Sequence, residues 1–337
     1  MKAVGYRRNL PITAEDALID LELPVPSPGP RDLLVGVRAV SVNPVDVKVR
    51  AGMAPPAGES RILGWDAAGV VEAVGAEVTL FRPGDEVFYA GSIVRPGSNA
   101  ERQLVDERIV GHKPKSLGFA EAAALPLTAI TAWEVLFDRL GVAPGKQPDA
   151  GSLLIIGGAG GVGSILIQLA RRLTGLTVIA TASRPASESW CRDLGAHHVI
   201  DHSKPLGDEL KRIGVAQLAL VAGLTATDRH FPAIAEILAP QGKFALIDDP
   251  ASLDVNPLKR KSVSVHWEFM FTRSLFETPD MIAQHRLLEE VASLADAGVI
   301  RTTLTRRLGA ITAANLKQAH ALIESGTSIG KVVLEGF

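Results

Sequence analysis

A glycine-rich segment in the middle of the chain carries the clearest chemical pattern. Gly158, Ala159, Gly160, Gly161, Val162 and Gly163 fit the spacing G-x-G-x-x-G and directly follow the apolar run Leu153–Ile156. Glycines at this spacing allow a tight turn and a close backbone approach to a pyrophosphate, whose charge is stabilised at the N-terminus of the next helix. We predict that this segment binds the phosphates of a dinucleotide. The alternative is a glycine-rich turn without a ligand.

Two polar residues, Ser183 and Arg184, follow the next apolar run, about 20 residues after the glycine segment. A site that prefers NAD usually offers a carboxylate here to the ribose 2′-hydroxyl, and the sequence has none. A serine hydroxyl can hydrogen-bond a 2′-phosphate and a guanidinium can pair with it, whereas a carboxylate would repel it. The pattern therefore predicts NADPH as the cofactor. The alternative is that Arg184 is a solvated loop charge.

His202 follows a further apolar run, His198–Ile200, and we expect it near the adenosine ribose. His198 and His202 are four residues apart, a spacing that also suggests a metal site. The residues between them are typical of a strand and a turn, and opposite ends of such a segment do not direct two imidazoles at one ion. We therefore predict no metal here. Cys191 has no histidine near it in sequence, which favours a packed thiol over a reactive one.

The elements that must hold these residues alternate between short apolar runs and helical patterns. The apolar runs are Leu153–Ile156, Thr177–Thr181, His198–Ile200, Leu218–Ala222, Phe244–Ile247 and Val263–Val265. Such alternation predicts a parallel sheet covered by helices on both faces, which is the doubly wound α/β class.

The two ends of the chain show a different pattern. Apolar and polar residues roughly alternate over Asp32–Val42 and Gly69–Val87, which predicts antiparallel strands. Amphipathic helices are predicted near Asp280–Ala297 and Thr312–Ser325, followed by a strand over Gly330–Leu334. Because this last strand resembles the first third, we expect the C-terminus to return to the first domain. The predicted domains are 1–125, 126–268 and, returning to the first, 269–337.

Composition excludes several classes of protein. The chain has 337 residues, enough for two domains, and its 35 Lys and Arg against 37 Asp and Glu give a net charge of −2. No basic field is present to attract nucleic acid or anionic lipid, and no uncharged apolar run is long enough to span a membrane. A single cysteine excludes an intrachain disulfide and cysteine-rich zinc sites, and it favours the cytoplasm.

The order of these parts resembles the medium-chain dehydrogenase/reductase superfamily. It is most similar to the quinone oxidoreductase branch and to the proteins called zinc-type alcohol dehydrogenase-like. The matching motifs are Ser41–Asp46, Gly64–Val71, Arg82–Val87, Leu125–Trp133, Gly157–Gly163 and Gly330–Leu334. The resemblance spans essentially the whole chain. It implies a GroES-like β-rich domain, a Rossmann domain, an active-site cleft between them, and a homodimer joined through an edge strand expected at Ser262–Val265.

The resemblance does not extend to a catalytic zinc ion. At the positions where zinc alcohol dehydrogenases hold the metal with cysteine, histidine and a further cysteine or acid, this sequence has Asn43, Trp65 and Leu127. Amide, indole and alkyl groups do not replace thiolates and imidazole as zinc ligands. The hydroxyl that relays a proton in the zinc enzymes corresponds to Val45. We therefore expect no metal at this site.

The resemblance also implies a set of residues around the reaction. Asn43 is expected to place its amide near the nicotinamide or the substrate oxygen, and Asp46 to orient the Asn43 loop. Thr131 is expected to contact the nicotinamide ribose or ring. Tyr89 could donate a hydrogen bond to a substrate carbonyl; the alternative is a packed residue of the β-rich domain.

Without a Lewis acid, a conjugated acceptor is the easier substrate, because negative charge delivered with a hydride spreads into an enolate or phenolate. We therefore expect NADPH-dependent reduction of quinones or α,β-unsaturated carbonyls. Two alternatives remain: a zinc-type alcohol dehydrogenase and a non-catalytic NADPH-binding sensor. The expected partners are a small-molecule substrate and a second copy of the chain, with no nucleic acid and no membrane.

Overall fold

The computed structural model describes residues 1–147 and 150–337, which form two compact units. The first unit combines Met1–Ile130 with Phe271–Phe337, and the second is Thr131–Met270. The boundaries predicted from sequence, after residues 125 and 268, lie slightly earlier. The first boundary differs because a continuous helix, Pro126–Trp133, runs through the point where the two units divide. The structure confirms the predicted class, a parallel Rossmann sheet with a separate β-rich unit.

The first unit is built mainly from antiparallel strands. Its N-terminal part contains β1 (Lys2–Tyr6), β2 (Ile19–Glu22), β3 (Asp32–Val42), α1 (Pro44–Gly52), β4 (Arg61–Ile62), β5 (Ala67–Val74), β6 (Glu86–Tyr89), β7 (Arg102–Asp106), a 3₁₀ turn (Glu107–Ile109), β8 (Val110–His112), α2 (Phe119–Ala123) and the start of α3 (Pro126–Trp133). One sheet has the order β2-β1-β4. In the larger sheet β3 pairs with both β5 and β7, and its residues are mostly buried on both faces.

The C-terminal residues complete the same larger sheet. Its last strands and helices are α8 (Thr272–Phe276), α9 (Ile282–Asp296), β15 (Leu304–Arg307), α10 (Ala313–Glu324) and β16 (Lys331–Glu335). β16 pairs antiparallel with β3, with Val333 opposite Ser41, and parallel with β15. The sheet order is therefore β15-β16-β3-β5-β6-β8, and the predicted return of the C-terminus to the first unit is confirmed.

The second unit is a six-stranded parallel sheet. After a π-helical segment (Glu134–Arg139), its elements are β9 (Ser152–Ile156), α4 (Gly161–Leu173), β10 (Thr177–Thr181), α5 (Pro185–Asp193), β11 (His198–Ile200), α6 (Leu206–Arg212), β12 (Leu218–Gly223), α7 (Thr227–Ile237), β13 (Leu238–Leu246), a 3₁₀ segment (Asn256–Lys261) and β14 (Ser264–Trp267). The order β11-β10-β9-β12-β13-β14 reverses direction between β9 and β12. Ligands bind at the carboxyl ends of the strands at such a switch point.

The helical run Phe119–Arg139 is long and apolar enough to cross a membrane by composition alone. Of its most apolar window, 83% is buried inside the protein. Burial of this kind accounts for its composition without a membrane.

Candidate functional site

The glycine segment lies where β9 ends and α4 begins, at the switch point of the second sheet. Gly160 is the N-cap of α4, and the first hydrogen bond back into the loop runs from the Ser164 N–H to the Gly160 carbonyl. The N–H groups of Gly161, Val162 and Gly163 lie in the first helical turn, where an α-helix has no carbonyl of its own to bond them. These N–H groups and the helix dipole suit a phosphate.

The tight turn is made by Gly157, one residue before the predicted pattern. Its φ is +85°, and its N–H donates to Thr181 Oγ1 at 3.0 Å. The prediction that the early glycines of the pattern supply this turn is therefore corrected: Gly157 adopts the left-handed backbone. Gly163 supplies close packing: a Cβ there would lie 2.4 Å from the Gly157 carbonyl oxygen and 2.6 Å from that of Gly158.

A positively charged corner forms beyond the carboxyl ends of β10 and β11. Ser183 and Arg184 are exposed directly after β10, and His202 lies after β11. His202 packs edge-on against His230 of α7, with 6.2 Å between ring centroids. Burial lowers the pKa of His202; Asp201 opposes this effect, while the charges of Arg229 and Arg184 add to it.

This corner offers donors of the kind that bind a phosphate group. The Nδ1 atom of His202 is buried and has no hydrogen-bond partner in the described part of the chain. Two guanidinium groups near an unpaired imidazole nitrogen are suitable donors for a phosphate. Arg229 and His230 were not predicted from the sequence. The signal available was their place at the start of α7, after β12, since loops after parallel strands share one edge of the sheet.

Asn43 and Asp46 lie in a buried network of the first unit. Asn43 is the N-cap of α1; its backbone N–H donates to Asp46 Oδ2 at 2.7 Å, and the Gly64 N–H donates to Asp46 Oδ1 at 2.9 Å. The Asn43 amide donates to the Ser41 carbonyl oxygen at 3.3 Å and to Asp66 Oδ2 at 3.1 Å. Both amide hydrogens are therefore used within the protein. The contact of this amide with nicotinamide or a substrate oxygen stays a prediction.

Lys331, the first residue of β16, completes the network. Its Nζ donates to Asn43 Oδ1, to the Val42 carbonyl oxygen at 3.1 Å, and lies 3.0 Å from Asp66 Oδ2. Asp66 Oδ1 in turn accepts the Leu127 backbone N–H at 3.0 Å. No role for Lys331 or Asp66 was predicted from the sequence, because a lysine in a strand pattern ordinarily indicates an exposed position.

The network buries more negative than positive charge. Burial raises the pKa of Asp46 to about 7, against hydrogen bonds from the Asn43 and Gly64 backbones and the charge of Lys331. Burial also raises the pKa of Asp66, and here the charge of Lys331 is the largest opposing effect. Two buried carboxyl groups thus share one ammonium group, which disfavours their being ionised at the same time near neutral pH.

The remaining predicted residues are buried. Thr131 lies in α3 and is almost fully buried. Tyr89 ends β6 with none of its surface exposed, and its hydroxyl has no hydrogen-bond partner among the described residues. Burial raises its pKa well above the usual range. The burial agrees with the packed alternative for Tyr89; a role as donor to a substrate stays a prediction.

Cys191 packs inside the second unit. Burial raises the pKa of its thiol to about 12, which disfavours the reactive thiolate. In residues 1–147 and 150–337, no group of three or more His, Cys, Asp or Glu side chains is arranged to hold a metal.

Two family models match the chain. The alcohol dehydrogenase GroES-like domain matches residues 29–133, and the zinc-binding dehydrogenase domain matches residues 194–334. The second description implies zinc, which the residues present do not fit. Asn43, Trp65 and Leu127 offer no strong zinc ligand, and the Lys331 ammonium lies among the oxygen atoms beside them.

Similar proteins cover the chain from end to end. A zinc-type alcohol dehydrogenase-like protein of Staphylococcus aureus (strain Mu50) is 41% identical over 336 residues, 99% of both chains. A structure from Rhizobium etli CFN 42, provisionally named a zinc-dependent alcohol dehydrogenase, is 62% identical with a TM-score of 0.96, covering 100% of this chain and 98% of the other. Escherichia coli quinone oxidoreductase complexed with NADPH shares the fold at 24% identity and a TM-score of 0.85, covering 99% and 100%. The chain belongs to the medium-chain dehydrogenase/reductase superfamily of oxidoreductases.

Proposed function

We propose that the protein is an NADPH-dependent oxidoreductase that reduces quinones or α,β-unsaturated carbonyl compounds without catalytic zinc. The observation that carries the proposal is the network of Asn43, Asp66 and Lys331 at the segments where zinc enzymes of the superfamily hold their metal. A nicotinamide cofactor supplies the hydride when bound. A conjugated acceptor then needs no metal, because its negative charge is delocalised as it forms.

The cofactor preference is supported by the charged corner of the second unit. Arg184, His202 and Arg229 offer positive charge and an unpaired nitrogen beyond β10 and β11, where a 2′-phosphate would lie. The helix start at Gly161–Gly163 holds the pyrophosphate. In the first unit, Asp46 and Lys331 orient the Asn43 loop through its backbone and its amide oxygen.

Cofactor titration tests the first half of the proposal. Arg184→Gln should weaken NADPH binding by about ten- to a hundredfold, since a charge-assisted hydrogen bond contributes about 1.5–3 kcal/mol, and NADH binding should change little. Arg192→Gln is the matched control, because Arg192 lies in α5, the helix that follows Arg184, but pairs with Glu188. Fluorescence titration with both cofactors measures the effect. Equal or tighter binding of NADH by the unaltered protein would refute the NADPH preference.

An acceptor panel tests the second half. NADPH oxidation is followed with a benzoquinone, an enone, and a simple ketone, and the reverse reaction with ethanol and NADP⁺. Turnover of the quinone or enone with little turnover of the others supports the proposal. Turnover of simple alcohols that requires zinc would favour the alcohol dehydrogenase alternative. Tight NADPH binding without turnover of any acceptor would favour the sensor.

We also propose a homodimer and a cytoplasmic location. β14 is the edge strand of the parallel sheet and pairs with β13, and Trp267 at its end is 54% exposed. An exposed edge of this kind is available for pairing with a second copy. The cytoplasmic proposal rests on the single, buried cysteine. Sedimentation of the purified protein tests the dimer.

A further inference from the structure

The environment of Lys331 has the composition of a small cation site. Its Nζ atom is surrounded by a backbone carbonyl oxygen of Val42, the amide oxygen of Asn43 and a carboxylate oxygen of Asp66. An ammonium group has three hydrogens to donate, and here it meets three oxygen acceptors. The side chain is only 3% exposed, so water does not substitute for any of these partners.

The three acceptors belong to segments that are far apart in the sequence. Val42 and Asn43 join β3 to α1, and Asp66 immediately precedes β5. Through its other carboxylate oxygen Asp66 also holds the Leu127 N–H in α3. The ammonium thus connects the segments around positions 43, 66 and 127 with the C-terminal strand.

We propose that the Lys331 ammonium is a built-in cation that takes the place of a metal ion and positions the active-site segments. It acts as a positioning residue, holding Asn43 and Asp66 from inside the protein. The inference rests on the proposed function in that it treats the Asn43 loop as part of the active site. It goes further by naming the group that holds the segments around this loop together: a positive charge carried by the chain itself.

Charge in the cluster supports this role. Asp46 and Asp66 are both almost fully buried, which raises the pKa of each, and Lys331 is the cation that opposes this rise. Removing one partner of a buried ion pair leaves an uncompensated charge and is strongly destabilising, whereas removing both partners is much less so. A lysine that only filled space would show neither this asymmetry nor a dependence on charge.

Chemical rescue tests the inference directly. Lys331→Ala removes the atoms of an n-propylammonium ion and leaves a cavity of that shape, whereas Lys331→Met fills most of it without charge. We expect n-propylammonium to raise the melting temperature of Lys331→Ala saturably, and to leave Lys331→Met and the unaltered protein unchanged. The neutral isostere n-propanol should have no such effect. Equal effects of the amine and the alcohol, or no effect of the amine on folded Lys331→Ala, would overturn the inference.

A double-mutant cycle keeps the inference testable if Lys331→Ala does not fold. Lys331→Met should lose more stability than the double variant Lys331→Met with Asp66→Asn, because the double variant removes the unpaired Asp66 carboxylate and Asn can still accept the Leu127 N–H. Lys113→Met is the control for losing a buried lysine: Lys113 lies in the same unit and bonds the Pro114 and Leu117 carbonyls, and the carboxylate that it pairs with, Glu86, is half exposed rather than buried. Additive losses in the cycle would overturn the role of the charge.

These measurements separate the two proposals. Melting temperatures and amine rescue do not depend on turnover, so a protein that reduces no acceptor would refute the proposed function alone. In a catalytically active preparation, n-propylammonium should also restore NADPH oxidation by Lys331→Ala at least tenfold, while leaving Lys331→Met unchanged. Restored folding without restored turnover would refute the positioning role.

Discussion

Replacing Gly163 by alanine should move the start of α4 and so weaken cofactor binding. A Cβ at this position would lie 2.4 Å from the Gly157 carbonyl oxygen and 2.6 Å from that of Gly158. An ordinary carbon–oxygen contact is about 3.3 Å, so helix and loop must separate by about 1 Å. Both obstructing atoms belong to the backbone, which cannot turn aside as a flexible side chain would. Overpacking of this kind costs about 1–3 kcal/mol, partly offset by the higher helix propensity of alanine.

A displacement of this size also moves the N–H groups at the helix start out of hydrogen-bond range. Such bonds tolerate only a few tenths of an ångström, and each one to a charged group contributes about 1.5–3 kcal/mol. Gly163→Ala should therefore bind NADPH at least about tenfold more weakly, as measured by calorimetric titration. Gly207→Ala is the matched control. Gly207 lies in α6, and a Cβ there would lie 3.9 Å from the Ile237 side chain, so this substitution should be neutral or stabilising by up to about 1 kcal/mol. Unchanged NADPH affinity in Gly163→Ala would refute this reasoning.

Two further predictions concern pH and metal. Burial and then the charge of Arg50 lower the pKa of His320 to about 3. Because an unfolded histidine titrates near pH 6.5, acid protonates the unfolded chain first. The free energy of unfolding therefore falls from about pH 6.5 toward pH 3, and the loss is about 2 kcal/mol at about pH 5. His320→Gln, which keeps an acceptor for Arg50 Nε, should lose this part of the pH dependence in urea unfolding, and identical pH dependence in both proteins would contradict the assignment. Purified protein should contain far less than one zinc ion per chain, and a chelator should leave both folding and NADPH oxidation unchanged; stoichiometric zinc whose removal abolishes turnover would contradict the metal-free proposal.

The sequence predicted the parallel sheet well because its signal is local. Runs such as Leu153–Ile156 and Thr177–Thr181 are buried on both faces, so each is continuously apolar and each is found in a strand of the structure. The glycine pattern was predicted for the same reason, although the positive φ belongs to Gly157, which precedes it. A spacing rule identifies the segment but not which of its glycines takes the left-handed conformation.

The network around Lys331 could not be predicted in the same way. Asn43 and Asp46 were identified through a motif, but their partners come from distant parts of the chain: Asp66 is brought to them by the pairing of β3 with β5, and Lys331 by the pairing of β3 with β16. The free energy of a buried lysine depends on its partners rather than on its neighbours in sequence. For this reason the sequence did not indicate the two protein acceptors to which the Asn43 amide hydrogens are directed.

The pairing of β3 with β16 also determines the order in which the protein can assemble. The second unit is one continuous segment, Thr131–Met270, inserted into a first unit whose sheet is completed only by Lys331–Glu335. During synthesis the parallel sheet can close while the strand that supplies the ammonium has not yet been made, since domains fold as units when their residues emerge. Until β16 is made, the end of β3 that pairs with it, residues 39–42, lacks that neighbour, and this unpaired edge is open to misassociation. A nascent chain arrested before residue 331 should therefore contain a protected second unit and a protease-sensitive first unit.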